Sequence, residues 1–243
     1  MRMLAFARRN AKEILRDPLN LFFGLGFPIV LLLLMSAIQA NIPVPLFEIE
    51  RLAPGISVFG LSFMTLFSAS LIAKDRGSSL LQRLYTTPMT GMDFILGYTL
   101  PILPIALAQG AVAYLAAMLI GLQPGINILW ALVFLLPISL LFIGLGLLCG
   151  SVLTDKQVGG ICGALLTNLS AWLSGIWFDL NLIGGTFEKI AHLLPFAHAV
   201  ELERTLISGS FTGILPHLLW ILAYAAVILC AAAALFLRQM KRQ

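Results

Sequence analysis

The sequence predicts an all-α polytopic membrane protein with six transmembrane helices. Three observations carry this. Of 243 residues, 60% are hydrophobic and only 11% charged, with a mean hydropathy of +0.98; an average soluble domain carries about 25% charged residues. The apolar residues come in long unbroken runs and do not alternate, which favours helices over a β-barrel. The basic residues gather on one side of those runs. Together these exclude a soluble globular enzyme, a disordered tail and a coiled coil. At 26.4 kDa there is room for several spans and for no additional folded domain, so residues 1–243 read as one transmembrane domain.

Residues 1–17 read as an amphipathic interfacial helix. Met3, Leu4, Ala7, Ala11, Ile14 and Leu15 recur at three-to-four spacing, while Arg8, Lys12 and Arg16 lie four apart on another face. Such a helix rests on a leaflet with its cations toward anionic lipid headgroups. Asp17-Pro18 ends it. Six runs then have the roughly 20 apolar residues that cross a hydrocarbon core: Leu21–Ile38, Ile56–Ala73, Thr99–Ile120, Ile128–Leu153, Val158–Phe178 and Leu218–Leu237. The first is too long for a signal-peptide core and no A-x-A site follows it, so it reads as a retained span.

Charge orients the bundle. With both termini cytoplasmic, the inner segments carry Arg2, Arg8, Arg9, Lys12, Arg16, Lys74, Arg76, Arg83, Lys156, Arg238, Lys241 and Arg242, leaving only Arg51, Lys189 and Arg204 of the 15 basic residues outside. The acids split more evenly. This is the positive-inside pattern of a cytoplasmic-membrane protein, so the net charge of +4 reports topology and no nucleic-acid partner.

The six runs contain no Asp, Glu, Lys or Arg. Intramembrane ionisable groups mark proton relays and ion coupling, so their absence weakens a coupled secondary transporter. No HExxH and no Walker A loop occurs, and no catalytic residue or metal ligand set is identified. His192 and His198 are six apart and share no obvious face across Pro195. Cys149, Cys162 and Cys230 read as small core hydrophobes. The neutral polar residues within spans fit interhelical hydrogen bonding; Gln109, Asn168 and Ser174 are candidates to line a substrate path. Gly146/Gly150 and Gly159/Gly163, each four apart, predict close helix–helix approach.

Two polar segments remain. Residues 74–90 run Lys74-Asp75-Arg76-Gly77-Ser78-Ser79-Leu80-Leu81-Gln82-Arg83-Leu84-Tyr85-Thr86-Thr87-Pro88 before the next span, with Leu80, Leu81 and Leu84 on one face of a short helix. A short amphipathic helix of this kind docks into a groove of a partner or onto the membrane. Residues 179–215 hold Ile190-Ala191-His192-Leu193-Leu194-Pro195, an amphipathic run interrupted by proline, with Trp172, Trp177 and Phe178 nearby as an interfacial belt.

This order of elements resembles the ABC-2 type (type-2 ABC exporter) permease family. Asp75-Arg76, Leu81-Gln82-Arg83-Leu84 and Thr87-Pro88 match its cytoplasmic coupling helix. The Leu-Pro run resembles its outer-side re-entrant or interfacial helices before the last span. Gly77 sits about two residues earlier than the family's pattern, and an accompanying glutamate is missing. The resemblance implies a transport subunit that is not itself an enzyme. ATP and Mg would be bound by a separate ABC ATP-binding subunit, contacted by Arg76, Leu80, Leu81, Arg83, Leu84 and Pro88, with none in this chain. A second permease copy, identical or related, would complete an export path for an amphipathic substrate: a drug, natural product, lipid or hydrophobic peptide. The alternatives are a stand-alone channel or secondary transporter, and a membrane scaffold without transport.

Overall fold

The computed structural model of the chain describes residues 2–78, 80 and 90–240, with the main chain alone at 2, 239 and 240. The first helix, α1 (Arg2–Leu15), stops before Asp17. Asp17 caps the next helix through the Asn20 N–H (3.1 Å), and Pro18 occupies its first turn, where a missing N–H costs nothing. That helix, α2 (Pro18–Gln39), is followed by α3 (Ile49–Gly77), α4 (Gly91–Ile120) and α5 (Ile126–Val152). Thr90 and Asp93 form a reciprocal capping box at the start of α4. Residues 155–173 form α6, whose middle, Gly159–Leu166, is π-helical. Short helices α7 (Leu180–Ile183), α8 (Gly185–Leu193) and α9 (Pro195–Ile207) precede the last long helix, α10 (Ile214–Met240). No strand occurs among the described residues.

Five helices, Pro18–Gln39, Ile49–Gly77, Gly91–Ile120, Ile126–Val152 and Phe211–Arg238, are long and apolar enough to cross a membrane. The fifth of the six expected spans, Val158–Phe178, maps onto α6 and is not among them. It begins on Asp155-Lys156-Gln157, carries Asn168, and ends at Ser174, where Gly175 turns the chain at φ +70°. The predicted break at Pro195 is present: Leu194 is extended and separates α8 from α9.

α3 is the axis of the bundle, buried almost continuously from Leu52 to Ala73. Its polar stripe is satisfied by neighbours and by its own turns. Thr65 donates to the Phe142 carbonyl (2.8 Å), Ser68 to Met64 (2.7 Å) and Ile143 (3.2 Å), and Ser62 to Phe59 (2.6 Å). These bonds to α5 require the two backbones to approach closely. Gly146 and Gly150 permit it: a Cβ on Gly146 would overlap Ser68, and one on Gly150 would lie 2.7 Å from the Ala69 carbonyl. The expected partner pair behaves differently. Gly163 makes only ordinary contact with Leu66, and Gly159 has nothing within 4 Å among the described residues, because that face of α6 points out of the bundle. Gly146→Ala or Gly150→Ala should therefore lower the thermal midpoint of the purified protein, at a cost of about 1–3 kcal/mol from overpacking. Gly159→Ala should leave the midpoint unchanged or higher.

Candidate functional site

The C-terminal end of α3 is where α1, α4 and α5 are tied to it. The helix runs one turn beyond its apolar stretch, so Asp75 and Arg76 belong to its last turn and not to a loop. Asp75 is 2% exposed. It accepts two bonds from the Arg9 guanidinium of α1 (2.6 and 2.8 Å) and one from the Tyr98 hydroxyl of α4 (2.9 Å). Beside it, Asn10 donates to the Gly97 carbonyl (3.0 Å), and Phe6 packs edge-on against Phe94 and Tyr98. A Cβ on Gly97 would overlap the Phe6 ring, so glycine lets α1 sit flush on α4. Arg76 turns the other way. It donates to the carbonyls of Gly150 (2.7 Å) and Leu153 (3.3 Å), capping the C-terminus of α5 with a cation.

Of the residues expected to contact an ATPase, Arg76 is thus engaged inside the chain, and Leu80 is half-buried, its N–H donating to Ser78 Oγ (3.3 Å). Leu81, Arg83, Leu84 and Pro88 lie outside the described residues. The three path candidates occupy different environments. Gln109 is buried against Gly60, where a Cβ would overlap its amide, and neither end of that amide has a partner among the described residues. Asn168 lies on the exposed face of α6, its Nδ2 donating to Ala164 (2.7 Å). Ser174 is buried and donates to Ala171 (2.9 Å).

Two carboxylates are buried that the sequence reading placed in polar segments. Asp75 is one. The other is Glu203 of α9, fully buried and accepting a bond from the Tyr114 hydroxyl of α4 (2.5 Å), with its second oxygen unpartnered among the described residues. Burial pushes the Glu203 carboxyl up to about 8, against which the Tyr114 bond works only partly. The residue after it is tied down too. Arg204 reaches Glu201 (2.8 Å), Gly175 O (3.0 Å) and Arg51 O (3.3 Å), so one side chain links α9 to the ends of α6 and α3. The Pro195 break also brings His192 and His198 together. His198 Nε2 donates to the His192 carbonyl (2.9 Å), which makes its Nδ1 the acceptor of the His217 Nδ1–H (2.8 Å) when both rings are neutral. Burial holds His198 below its usual range.

Replacing Asp75 with alanine leaves Arg9 and Tyr98 without their shared acceptor. A cost of about 2 kcal/mol is expected, reduced from that of a deeply buried pair because Arg9 keeps Glu13 and is partly in solvent. Hydrogen exchange should rise across residues 2–15, with Asp75→Asn milder. For Glu203 the folded value lies above the ordinary 4.5. The protonated form therefore favours the folded state, and stability is highest below pH 4.5 and falls as pH rises toward 8. The unfolding free energy should fall across that window by on the order of a few kcal/mol at most, lowering the thermal midpoint, and Glu203→Gln should flatten the drop.

Comparison with known proteins agrees with the order of helices. A family model described as "ABC-2 type transporter" matches residues 1–207. Over 229 residues the chain is 21% identical to Nodulation protein J of Rhizobium meliloti (strain 1021), covering 85% of this chain and 87% of that one. Nodulation protein J of Sinorhizobium fredii (strain NBRC 101917 / NGR234) is 26% identical over 192 residues, 78% of this chain and 71% of its own. That of Rhizobium leguminosarum bv. viciae is 22% identical over 232 residues, 86% and 89%. The chain is an integral membrane protein of several apolar helices and belongs to the ABC-2 type transporter family.

Proposed function

We propose that the chain is the transmembrane subunit of an ATP-driven exporter in the cytoplasmic membrane. ABC-2 permeases are generally non-enzymatic and normally pair with an ABC ATP-binding subunit. In this reading α6 is the fifth of six spans, both termini are cytoplasmic, and two permease copies build one path. The partner binds ATP and Mg; this chain contributes the path and the lever. The observation that carries the reading is the junction at the end of α3. Arg9, Tyr98 and Arg76 fix that end to α1, α4 and α5 at once, so displacement of residues 79–89 is delivered to the central helix and not lost in a loose hinge. Leu80, Leu81 and Leu84 fill a groove of the ATPase, with Arg83 and Pro88 at its edge. The exposed Asn168 face of α6 turns toward the second copy, since a lone amide facing lipid is unfavourable. With Gln109 and Ser174 it suits an amphipathic substrate: a drug, natural product, lipid or hydrophobic peptide.

Buried Glu203 favours a second reading, a proton-linked secondary transporter. The two separate cleanly in liposomes holding the chain with its ATPase. The exporter reading expects substrate movement that needs ATP and ignores an imposed pH gradient. Arg83→Glu or Leu84→Asp should reduce ATPase co-purification and substrate-stimulated hydrolysis by about tenfold, the scale of losing one or two central interface contacts. Intact assembly and hydrolysis in both variants would remove residues 79–89 from the coupling role.

A further inference from the structure

We propose that the chain carries a binding site for one anionic phospholipid of the cytoplasmic leaflet, formed between α1, the start of α2 and the middle of α4. At about 100° per residue, α1 divides into three sectors. Phe6, Asn10 and Ile14 form the sector buried against the bundle. Leu4, Ala11 and Leu15 form a second, apolar sector, and Arg8, Lys12 and Arg16 a third that adjoins it. The second sector is not absorbed by packing: Leu4 is 61% and Leu15 63% exposed. It roofs a cavity of about 720 Å³ whose other walls include Leu25 of α2 and Pro104 and Ala108 of α4.

Among the described residues its lining is apolar except for Arg8. Arg8 also stands on the outward face of α1 and the turn that follows it, beside Arg9, Lys12, Glu13 and Arg16. There Arg9 is committed to Glu13 (2.7 Å) and Asp75, whereas Arg8, Lys12 and Arg16 make no side-chain hydrogen bond or ion pair among the described residues. One arginine therefore joins an apolar slot to a mouth of three uncommitted cations. A ligand that fits both halves has a hydrocarbon chain and a phosphate. The guanidinium fork takes phosphate oxygens in pairs, and three cations favour an anionic headgroup over a zwitterionic one. A second copy of this chain, placed symmetrically, would set these cations against their own kind. The proposal rests on the exporter reading only for the choice of leaflet. Binding is measured on the permease chain alone, so loss of that reading would leave the binding result standing.

The test is native mass spectrometry of the purified full-length chain, titrated with phosphatidylglycerol or with phosphatidylcholine of the same acyl chains. One retained phosphatidylglycerol, bound at least tenfold more tightly than phosphatidylcholine and not displaced by inorganic phosphate, is expected. Arg8→Glu with Lys12→Glu should weaken it at least tenfold, while Arg8→Lys with Lys12→Arg retains it. Lys156→Glu with Arg238→Glu, which removes equal charge elsewhere, should change it little. Ala11→Trp should fill the slot and weaken binding comparably; Ala108→Trp does the same from the opposite wall should the first variant unfold. Equal binding of the two lipids would overturn the site. So would charge variants that weaken binding while both tryptophan variants leave it intact, since that is surface attraction without a slot. Variants that leave lipid bound but convert a dimer to monomer would give the face to a second copy instead.

Discussion

A carboxylate with almost no access to solvent holds one end of this bundle together. Asp75 ends the central helix, and a bare charge there would be prohibitively expensive to bury. Arg9 and Tyr98 make it affordable, and in doing so they fix where α1 and α4 must lie. The position of α1 then follows from the Arg9–Asp75 pair, the Asn10–Gly97 bond and the packing of Phe6 on Phe94 and Tyr98. An interfacial helix held this way becomes part of the protein's rigid frame. The same turn of α3 sends Arg76 to the end of α5, so a short stretch of sequence coordinates four helices.

The apolar runs were legible because the membrane imposes them: a span needs a length of hydrocarbon-compatible side chains whatever its neighbours are. The helix ends were less legible. α3 extends beyond its apolar run because Asp75 and Arg76 find partners 66 and 74 residues away, and no local pattern encodes a distant acceptor. Glu203 was hidden for the same reason. In sequence it is an acid in an outer polar segment; in the fold it meets Tyr114, 89 residues distant. The face of α1 was half read. The Leu4–Leu15 stripe was visible by periodicity, but Phe6 and Asn10, which form the docking face, looked like one more apolar and one more polar residue. Gly146 and Gly150 were read correctly since close approach leaves a local signature, whereas Gly159 shares the spacing without the neighbour.

The polar interior follows one rule. Hydroxyls along α3 and α6 bond back to their own turns or to the facing backbone, which removes the cost of carrying them and adds little else. The groups that do not follow it are Ser36, Thr99, Gln109 and one oxygen of Glu203, each with a buried polar atom unpartnered among the described residues. They lie on α2, α4 and α9.

α6 carries a feature with a geometric consequence. Its hydrogen bonds run i→i+5 through Gly159–Leu166, so each of those turns takes in one residue more than an ordinary helix does. Were a single such turn to revert to i→i+4, everything beyond it would rotate by about 100°. Asn168 would leave the outward face and Trp172 would swing with it, with no change in the length of the chain. The helix is in effect a screw with a stripped thread in its middle, built on Gly159, Gly160 and Gly163, which offer no side chain to resist turning.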